Sequence, residues 1–472
     1  MKIKKQDIFS QVHIHQMTNE GTGLVHIHQV PVFVKGNVAP DDVVDIRITR
    51  VRKNACEATV QKVHQYSVAH TSPKCIHFGI CGGCKWQHIH YATQLEQKQK
   101  FVVHAFEKAI PHFKFNFLPI IPAPQPYYYR NKMEFTFSTE KWLTLTEIQD
   151  KTTSIQDKNA LGLHVPQRFD KVLDLQECHL LDERTSHILR VVKAYALQTQ
   201  KPFYDLKKNS GFWRNIVLRK SYTTPDFMFI LIVAEQDIDA INKALHYFQN
   251  ELDFITSWIY IINPKLNDYY QDLTYHVFAG KGYITEYFEN VVFRISPLSF
   301  FQTNTLQAQT LYQKVLELAD IQPNQIVYDL YTGTGTIANY VAKKAAKVIG
   351  IELVDSAIQD GIQNAVLNQN QNILFFAGDM KNILTPSFIA QHGKPDVLIT
   401  DPPRAGMHPD VVQTIIQAKP HTIVYVSCNP ETQAKDISML LEHYQVVSLQ
   451  PVDMFPQTAH VECIAKLVLK NP

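Results

Sequence analysis

Residues 326–338, IVYDLYTGTGTIA, join a short apolar strand to a turn with two glycines and then to a helical stretch. Asp329 lies near the end of the strand. Gly333 and Gly335 allow the backbone to approach a ligand closely, because glycine carries no Cβ. The third glycine of the dinucleotide fingerprint is absent. The segment therefore predicts the first strand of an α/β domain, followed by a ligand-binding turn.

From about Ser296 onward, short apolar strands alternate with helical stretches. The strands are IVYDL, KVIGIE, ILFFAGD, DVLITD and TIVYVS. This alternation is typical of a doubly wound α/β domain with a mostly parallel sheet, whose ligands lie outside the carboxyl ends of the strands. Glu352 ends the second strand, where an acid typically accepts hydrogen bonds from ribose hydroxyls, and Asp379 ends the third, where it could receive an adenine amino group. Alternatively, these acids only cap the helices that follow.

Two further strand ends carry reactive groups. Asp401-Pro402-Pro403-Arg404 follows the fourth strand, and Cys428 follows the fifth, 34 residues before Glu462. An aromatic residue usually follows Asp-Pro-Pro when the target is an amino group, whereas Arg404 better suits a phosphate or a carbonyl-rich ring. A thiolate that adds to carbon 6 of uracil makes carbon 5 nucleophilic, and a base must later remove the carbon 5 proton. Cys428 and Glu462 suit these roles; the alternative is a buried structural thiol.

The composition is that of an ordinary globular protein. Of 472 residues, 45% are hydrophobic and 19% charged, and the length predicts two to four domains. The longest apolar run, FMFILIVA (227–234), is far too short to span a membrane. The basic N-terminus is not followed by an apolar stretch, so we expect a cytoplasmic protein.

The N-terminal segment is basic and strand-rich. Residues 1–74 contain ten Lys or Arg against six Asp or Glu. Short strands over 21–64 predict a small β-barrel, a shape often used to hold RNA. Arg47, Arg50, Arg52 and Lys53 give it positive charge. The alternative is a solvated strand face.

The cysteines favour metal binding or catalysis over disulfides, because the number of thiols, seven, is odd and three of them crowd together. Cys75 is followed by Cys81 and then by Gly-Gly-Cys84. This spacing indicates a metal site and leaves both an iron–sulfur cluster and structural zinc open. Histidines 77, 88 and 90 keep zinc open, although some of them are expected to be surface residues. The spacing differs from that of the enzymes that generate radicals from S-adenosylmethionine, so radical chemistry is not expected.

Five segments together resemble the RNA (uracil-5)-methyltransferases, which use S-adenosylmethionine (SAM). They are SPLSFFQTN (296–304), DLYTGTGTIA (329–338), DPPRAGM (401–407), VSCNP (426–430) and QTAHVE (457–462). The resemblance implies a nucleophilic Cys428, a general base at Glu462 and a substrate-side Arg404. It also implies SAM contacts from Gln302, Tyr331, Glu352, Asp379 and Asp401. Thr336 departs from the family, where several members carry Asn.

The resemblance extends upstream. CIHFGICGGCKWQHIHYATQLEQKQ (75–99) and LGLHVPQRFDKVLDLQECHL (161–180) are similar to the iron–sulfur segments of the bacterial 23S rRNA members. This implies a [4Fe–4S] cluster on Cys75, Cys81, Cys84 and Cys178. Residues 1–65 resemble the TRAM RNA-binding domain. The implied layout is 1–65 TRAM, 66–295 central domain with the cluster, and 296–472 catalytic domain, with a helix at about 92–110 packing on the last.

The implied function is methylation of carbon 5 of a uridine in 23S rRNA by a monomer that does not bind membranes. Three alternatives stay open. The first is methylation of the corresponding carbon in tRNA. The second is methylation of an RNA amino group, which requires neither Cys428 nor Glu462. The third is a non-catalytic RNA-binding protein with a zinc module.

Overall fold

The computed structural model describes residues 3–149 and 158–470. The first sheet has the strand order β1-β5-β6-β4-β3-β2. Its strands are β1 (Ile8–His13), β2 (Gln16–Met17), β3 (Gly23–Ile27), β4 (Val30–Lys35), β5 (Val43–Val51) and β6 (Cys56–Gln65). The edge strands β1 and β2 are separated in the chain only by Ile14 and His15, so the two edges lie close together. The sheet therefore curls around an apolar core that includes Val25, Val44 and Ile46.

A long helix, α1 (Tyr91–Ala109), leads to a second sheet with the order β13-β12-β11-β10-β7-β8-β9. Its strands are β7 (Lys132–Ser138), β8 (Ala160–Val165), β9 (Arg168–Asp174), β10 (Trp213–Lys220), β11 (Phe227–Val233), β12 (Ser257–Ile262) and β13 (Tyr275–Gly280). The helices of this region are α2 (Leu145–Gln149), α3 (Thr185–Gln198) and α4 (Ile238–Glu251). The apolar run that begins at Phe227 is β11, and every residue of that strand is buried. Burial on both faces explains why it does not alternate with polar residues.

A hairpin and a helix connect the second sheet to the third. The hairpin is β14 (Ile284–Phe288) and β15 (Val291–Ile295), and the helix is α5 (Thr305–Ala319). Asn304 caps α5, since its side chain accepts a hydrogen bond from the Gln307 amide. Residues 296–304 therefore form a turn between two well-anchored elements.

The third sheet has the order β18-β17-β16-β19-β20-β22-β21. Its strands are β16 (Ile326–Leu330), β17 (Lys347–Glu352), β18 (Ile373–Ala377), β19 (Val397–Thr400), β20 (Thr422–Ser427), β21 (Tyr444–Val452) and β22 (Glu462–Leu469). Strands β16 to β20 are parallel, and β22 pairs antiparallel with β20 and β21. Val327 and Tyr328 belong to apolar clusters on opposite faces, so the sheet is covered on both sides. The mixed α/β fold is confirmed; β21 and β22 were not anticipated.

The helices of the third region are α6 (Thr336–Val341), α7 (Asp355–Leu367), α8 (Met380–Ile383), α9 (Pro386–His392), α10 (Pro409–Ala418) and α11 (Pro430–Leu440). Helix α1 packs against this region, and its Val102 and Phe106 share a cluster with Ile437 and Leu449. In the ranges that the structure describes, no helix combines the length and apolar character needed to cross a bilayer.

Candidate active site

A cavity of about 1020 Å³ opens beyond the carboxyl ends of the parallel strands of the third sheet. Its wall brings together the residues that the sequence assigned to SAM, to the substrate and to catalysis. They are Gln302, Tyr331, Glu352, Asp379, Asp401, Arg404, Cys428 and Glu462. Residues from seven separate segments therefore meet at one site.

The turn after β16 has a left-handed backbone at three positions. The φ angles are 61° at Tyr331, 57° at Gly333 and 69° at Gly335. A Cβ added at Gly333 would meet nothing within 4 Å, whereas one at Gly335 would lie 2.7 Å from the Phe375 ring. Gly333 therefore leaves open space at the cavity, and Gly335 permits close packing beneath the turn. Tyr331 holds a conformation that is costly for a residue with a side chain and that is common at ligand sites.

Glu352 stabilises the same turn from the end of β17. One carboxylate oxygen accepts a hydrogen bond from the Gly333 amide at 3.1 Å, and the other accepts one from the Val354 amide at 3.1 Å. Asp379 caps α8, because its Oδ1 accepts a hydrogen bond from the Lys381 amide at 3.1 Å. The helix-cap interpretation therefore holds for Asp379, which also lines the cavity.

Asp329 lies behind the turn and not on the wall that the described residues form. Its side chain is fully buried and accepts a short hydrogen bond from the Thr332 hydroxyl. Burial raises the pKa of Asp329 to about 7, and the nearby Asp401 adds to the increase. Asp329 thus supports the turn from within.

Cys428 and Glu462 are brought together by the register of β20 and β22. Ser427 pairs with Cys463, so the residues one step beyond, Cys428 and Glu462, lie at the same edge. Burial raises the pKa of Glu462 to about 8; Asp401 raises it further, and Arg404 opposes the increase. Burial also raises the pKa of the Cys428 thiol to about 11, with contributions from Glu462 and Asp401, whereas Arg404 lowers it. Arg404 is therefore the cation that favours a thiolate at this site.

The Arg404 backbone is tied to the loop that carries Cys428. Its carbonyl accepts hydrogen bonds at 3.1 Å from the Asn429 side chain and at 3.1 Å from the Thr432 hydroxyl. Its guanidinium donates to Nδ1 of His460 at 3.3 Å. Burial lowers the pKa of His460 to about 4, and Arg404 contributes to the decrease. The imidazole is therefore neutral at physiological pH and can accept this bond.

Two residues at the cavity, Tyr312 and Asp360, were not predicted from the sequence. Tyr312 of α5 lines the cavity, and burial together with Asp401, Asp329 and Glu462 raises its pKa well above the usual value. Asp360 of α7 accepts a hydrogen bond from the Ser296 hydroxyl at 3.0 Å, and thereby holds the turn that leads to Gln302. No local pattern marks Tyr312 or Asp360, because their partners are distant in the chain.

The four cysteines assigned to a cluster lie outside the cavity wall seen in the described ranges. Burial raises the pKa of Cys178 to about 12, and Cys84, Cys81 and Cys75 each raise it further, so the four thiols are electrostatic neighbours. Among the residues whose placement is described, no group of three or more His, Cys, Asp or Glu side chains is arranged to hold a metal ion.

The neighbouring histidines are engaged elsewhere. His77 is buried, and its Nε2 accepts a hydrogen bond from the Gln176 amide at 2.9 Å. His88 is buried as well, and its Nε2 lies 2.8 Å from the Val38 carbonyl. His90 is exposed, as expected for some of the three. The Nε2 atoms of His77 and His88 therefore make structural hydrogen bonds and do not serve as metal ligands.

Comparisons with known proteins agree with this geometry. The sequence profile of the family described as tRNA (Uracil-5-)-methyltransferase matches residues 277–470. An uncharacterized RNA methyltransferase of Bacteroides thetaiotaomicron is 44% identical over 461 residues, which cover 96% of this chain and 100% of the relative. Another from Porphyromonas gingivalis is 42% identical and covers 96% of this chain and 99% of the relative.

A solved structure is similar along almost the whole chain. It is the tRNA (uracil-54, C5)-methyltransferase of Pyrococcus abyssi in complex with S-adenosyl-L-homocysteine, with a TM-score of 0.76 and 28% identity. The similarity covers 97% of this chain and 100% of that chain. The likeness therefore includes the regions before the third sheet.

Proposed function

The chain belongs to the family of SAM-dependent RNA (uracil-5-)-methyltransferases, and on that basis we propose that it methylates carbon 5 of a specific uridine in 23S rRNA through a covalent adduct with Cys428. The observation that carries this proposal is the placement of Cys428 and Glu462 at one sheet edge, inside the cavity that also contains the SAM candidates. A nucleophile and a base beside a methyl donor are what carbon 5 methylation requires.

The residues at the cavity suit SAM. Gly333 leaves space for a ligand, and Glu352 offers carboxylate oxygens at the strand end where ribose hydroxyls are usually bound. Gln302, Tyr331, Asp379 and Asp401 complete the proposed binding set. When bound, SAM would supply an electrophilic methyl group.

The proposed reaction assigns one step to each catalytic side chain. The Cys428 thiolate adds to carbon 6 of the uracil, and the electron pair of the ring double bond moves towards carbon 5 and the carbonyl oxygen. Carbon 5 then takes the methyl group of SAM, whose bond to sulfur breaks with both electrons left on the sulfur, so that S-adenosyl-L-homocysteine leaves. The Glu462 carboxylate then removes the proton from carbon 5, the ring double bond re-forms, and the Cys428 thiolate leaves.

The electrostatics support these assignments. With its pKa raised to about 8, Glu462 can both accept and release a proton near neutral pH, as an efficient base requires. Burial raises the pKa of the Cys428 thiol to about 11, and Arg404 counteracts part of this increase. The charge of Arg404 can also stabilise the developing oxyanion of the ring. Arg404 is therefore proposed to act on the substrate side of the cavity.

Two further assignments belong to this proposal and rest on the sequence resemblance. Cys75, Cys81, Cys84 and Cys178 would hold a [4Fe–4S] cluster; four thiols suit such a cluster in ligand chemistry, and no step of the reaction passes through them. Residues 1–65 would form a TRAM domain that binds RNA, 66–295 the central domain and 296–472 the catalytic domain.

In the N-terminal sheet, Glu57 pairs with Lys35, Arg50 and Arg52, so one carboxylate faces three cations. This group of side chains therefore carries a net positive charge, which can attract the phosphates of an RNA backbone.

The proposed substrate is 23S rRNA, and tRNA is the second candidate. The cysteine group favours 23S rRNA, whereas the similarity to the Pyrococcus abyssi enzyme favours tRNA as the second candidate. The test offers labelled SAM with unmodified 23S rRNA and tRNA transcripts and maps the methylated nucleotide. We expect a label at a uridine of 23S rRNA. A label confined to tRNA would transfer the proposal to tRNA, and a label on an amino group would contradict it.

A further inference from the structure

The segment between β21 and β22 carries the general base into the cavity. It runs from Asp453 to Val461, and Glu462 follows as the first residue of β22. Gln457 within it has a left-handed backbone, with φ of 67°. This conformation is costly for glutamine, so the surrounding contacts must hold it.

One such contact is a reciprocal pair between Gln457 and Gln94 of α1. The backbone amide of Gln457 donates to the side-chain Oε1 of Gln94 at 3.0 Å. In return, the side-chain Nε2 of Gln94 donates to the side-chain Oε1 of Gln457 at 3.0 Å. Gln94 is fully buried, and its Nε2 also lies 3.0 Å from the Trp86 carbonyl and 2.8 Å from the Ile89 carbonyl. Buried polar groups that are this well satisfied specify one arrangement of the chain.

The loop after the cysteines holds Gln457 from a second direction. The Lys85 and Trp86 amides donate to the Gln457 carbonyl at 2.8 and 3.0 Å. Lys85 directly follows Cys84 in the chain. The backbone that carries Cys84 and the backbone that leads to Glu462 are thus joined at Gln457.

The start of the segment is also bound to α1. Lys98 and Asp453 form a fully buried ion pair at 2.5 Å, and the Tyr91 hydroxyl donates to the other Asp453 oxygen at 2.8 Å. Helix α1 therefore fixes the segment at two places. Cys428 and Arg404 lie on other loops, which bind to each other through the Arg404 carbonyl. The Arg404 guanidinium also donates to Nδ1 of His460 within the segment, at 3.3 Å.

We propose that Gln94 is a positioning residue for Glu462, which acts through Gln457 to keep the carboxylate directed at the substrate ring beside Cys428. This inference rests on the proposed function, because it takes Glu462 as the base that resolves the adduct. Loss of Gln94 should misplace Glu462 and leave Cys428 and the Arg404 backbone in position, because the loops that carry them bind to each other. The adduct then forms normally and is resolved slowly.

The test compares Gln94→Met with Gln97→Met. Gln97 is also buried on α1, but its Oε1 accepts a hydrogen bond from the backbone amide of Met17 in the first sheet. It therefore does not bind the segment from Asp453 to Val461 through this oxygen. Each variant receives RNA and SAM, and the adduct is quantified on a denaturing gel together with the methylated product and the thermal midpoint. For Gln94→Met we expect product formation to fall about 10-fold to 100-fold while the adduct accumulates. For Gln97→Met the adduct fraction at saturating RNA should equal that of the wild type.

Glu462→Gln is the reference that separates the two proposals. If Glu462→Gln traps the adduct while Gln94→Met turns over like the wild type, or slows formation and resolution equally, the positioning role is refuted and the proposed function stands. If neither the wild type nor Glu462→Gln forms an adduct, the proposed function itself fails. Should Gln94→Met not fold, Gln457→Met removes the side-chain half of the pair and leaves the Gln457 backbone amide bound to Oε1 of Gln94. We then expect a smaller accumulation of adduct with the same ordering of rates.

Discussion

Cys428 and Glu462 lie at the same edge of the third sheet, because Ser427 of β20 is the register partner of Cys463 of β22. The two reactive groups are 34 residues apart in the sequence. Their proximity depends on β22 turning back antiparallel beside β20. A shift of one residue in this register would turn Glu462 to the other face of the sheet. Strand pairing thus places the proposed nucleophile beside the proposed base.

Replacing Glu462 with Gln should separate the two halves of the reaction. The amide keeps the size of the side chain but cannot take the carbon 5 proton, so turnover should fall about 10²-fold to 10⁴-fold and the RNA–protein adduct should persist. Denaturing gels of a reaction with RNA and SAM measure both quantities. Glu431→Gln is the control, because Glu431 is exposed in the first turn of α11. Wild-type turnover by Glu462→Gln would exclude Glu462 as the base.

The raised pKa of Glu462 also makes the stability of the protein depend on pH. Because its folded pKa is about 8 and its ordinary value is 4.5, the folded protein holds a proton that the unfolded chain releases between these values. The contribution of Glu462 to the free energy of unfolding is therefore fully present below about pH 4.5, and it is lost as the pH rises towards 8. Between pH 5 and 8, we expect the thermal midpoint of the wild type to fall more than that of Glu462→Gln. Parallel curves for the two proteins would show that Glu462 does not titrate in this range.

Gly333 and Gly335 form a matched pair for testing the turn after β16. Both have positive φ, so alanine strains the backbone at either position. Only at Gly335 would the new Cβ clash with Phe375, at 2.7 Å. Gly335→Ala should therefore lower the thermal midpoint more than Gly333→Ala, at a cost of about 1–3 kcal/mol. Gly333→Ala should mainly weaken SAM binding, measured by calorimetry, because its Cβ enters the space kept for the ligand. The reverse ranking for either quantity would contradict this assignment of the two glycines.

The sequence was most informative where function depends on local pattern. The strand and turn around Asp329, and the acids at 352 and 401, follow from the alternation of apolar strands with helices and from the rule that ligands bind at the carboxyl ends of strands. The strand end that carries Cys428 was recognisable for the same reason, whereas Glu462 was assigned through the family resemblance, because β22, which it begins, was not anticipated. Both side chains lie on the cavity wall.

Contacts between distant segments could not be predicted in this way. The Gln94–Gln457 pair spans 363 residues, and the Lys98–Asp453 pair spans 355. Gln94 and Lys98 are polar residues on a helix, where the apolar periodicity predicts exposure. The sequence pattern therefore does not mark them as buried. Tyr312 was missed for the same reason, since it looks like an ordinary core residue of α5.

The cysteine group offers a test that is independent of catalysis. Protein purified without air should be brown and should absorb at about 400 nm, because iron bound by four thiolates absorbs in this range. Cys178→Ala should lose this absorbance and the iron, because it removes one proposed ligand. Cys56→Ala is the control, since Cys56 is buried in the first sheet. A colourless wild-type protein that contains zinc and no iron would overturn the cluster assignment.

The central claim is methylation of carbon 5 of uracil by way of Cys428. The most direct measurement incubates RNA with labelled SAM and either wild-type protein, Cys428→Ala or Cys463→Ala, and then digests the RNA to nucleosides for chromatography. Cys463 is a buried thiol next to Glu462 and serves as the control. We predict label in 5-methyluridine with the wild type and Cys463→Ala, and none with Cys428→Ala. Label in any other nucleoside, or full labelling by Cys428→Ala, would contradict the account.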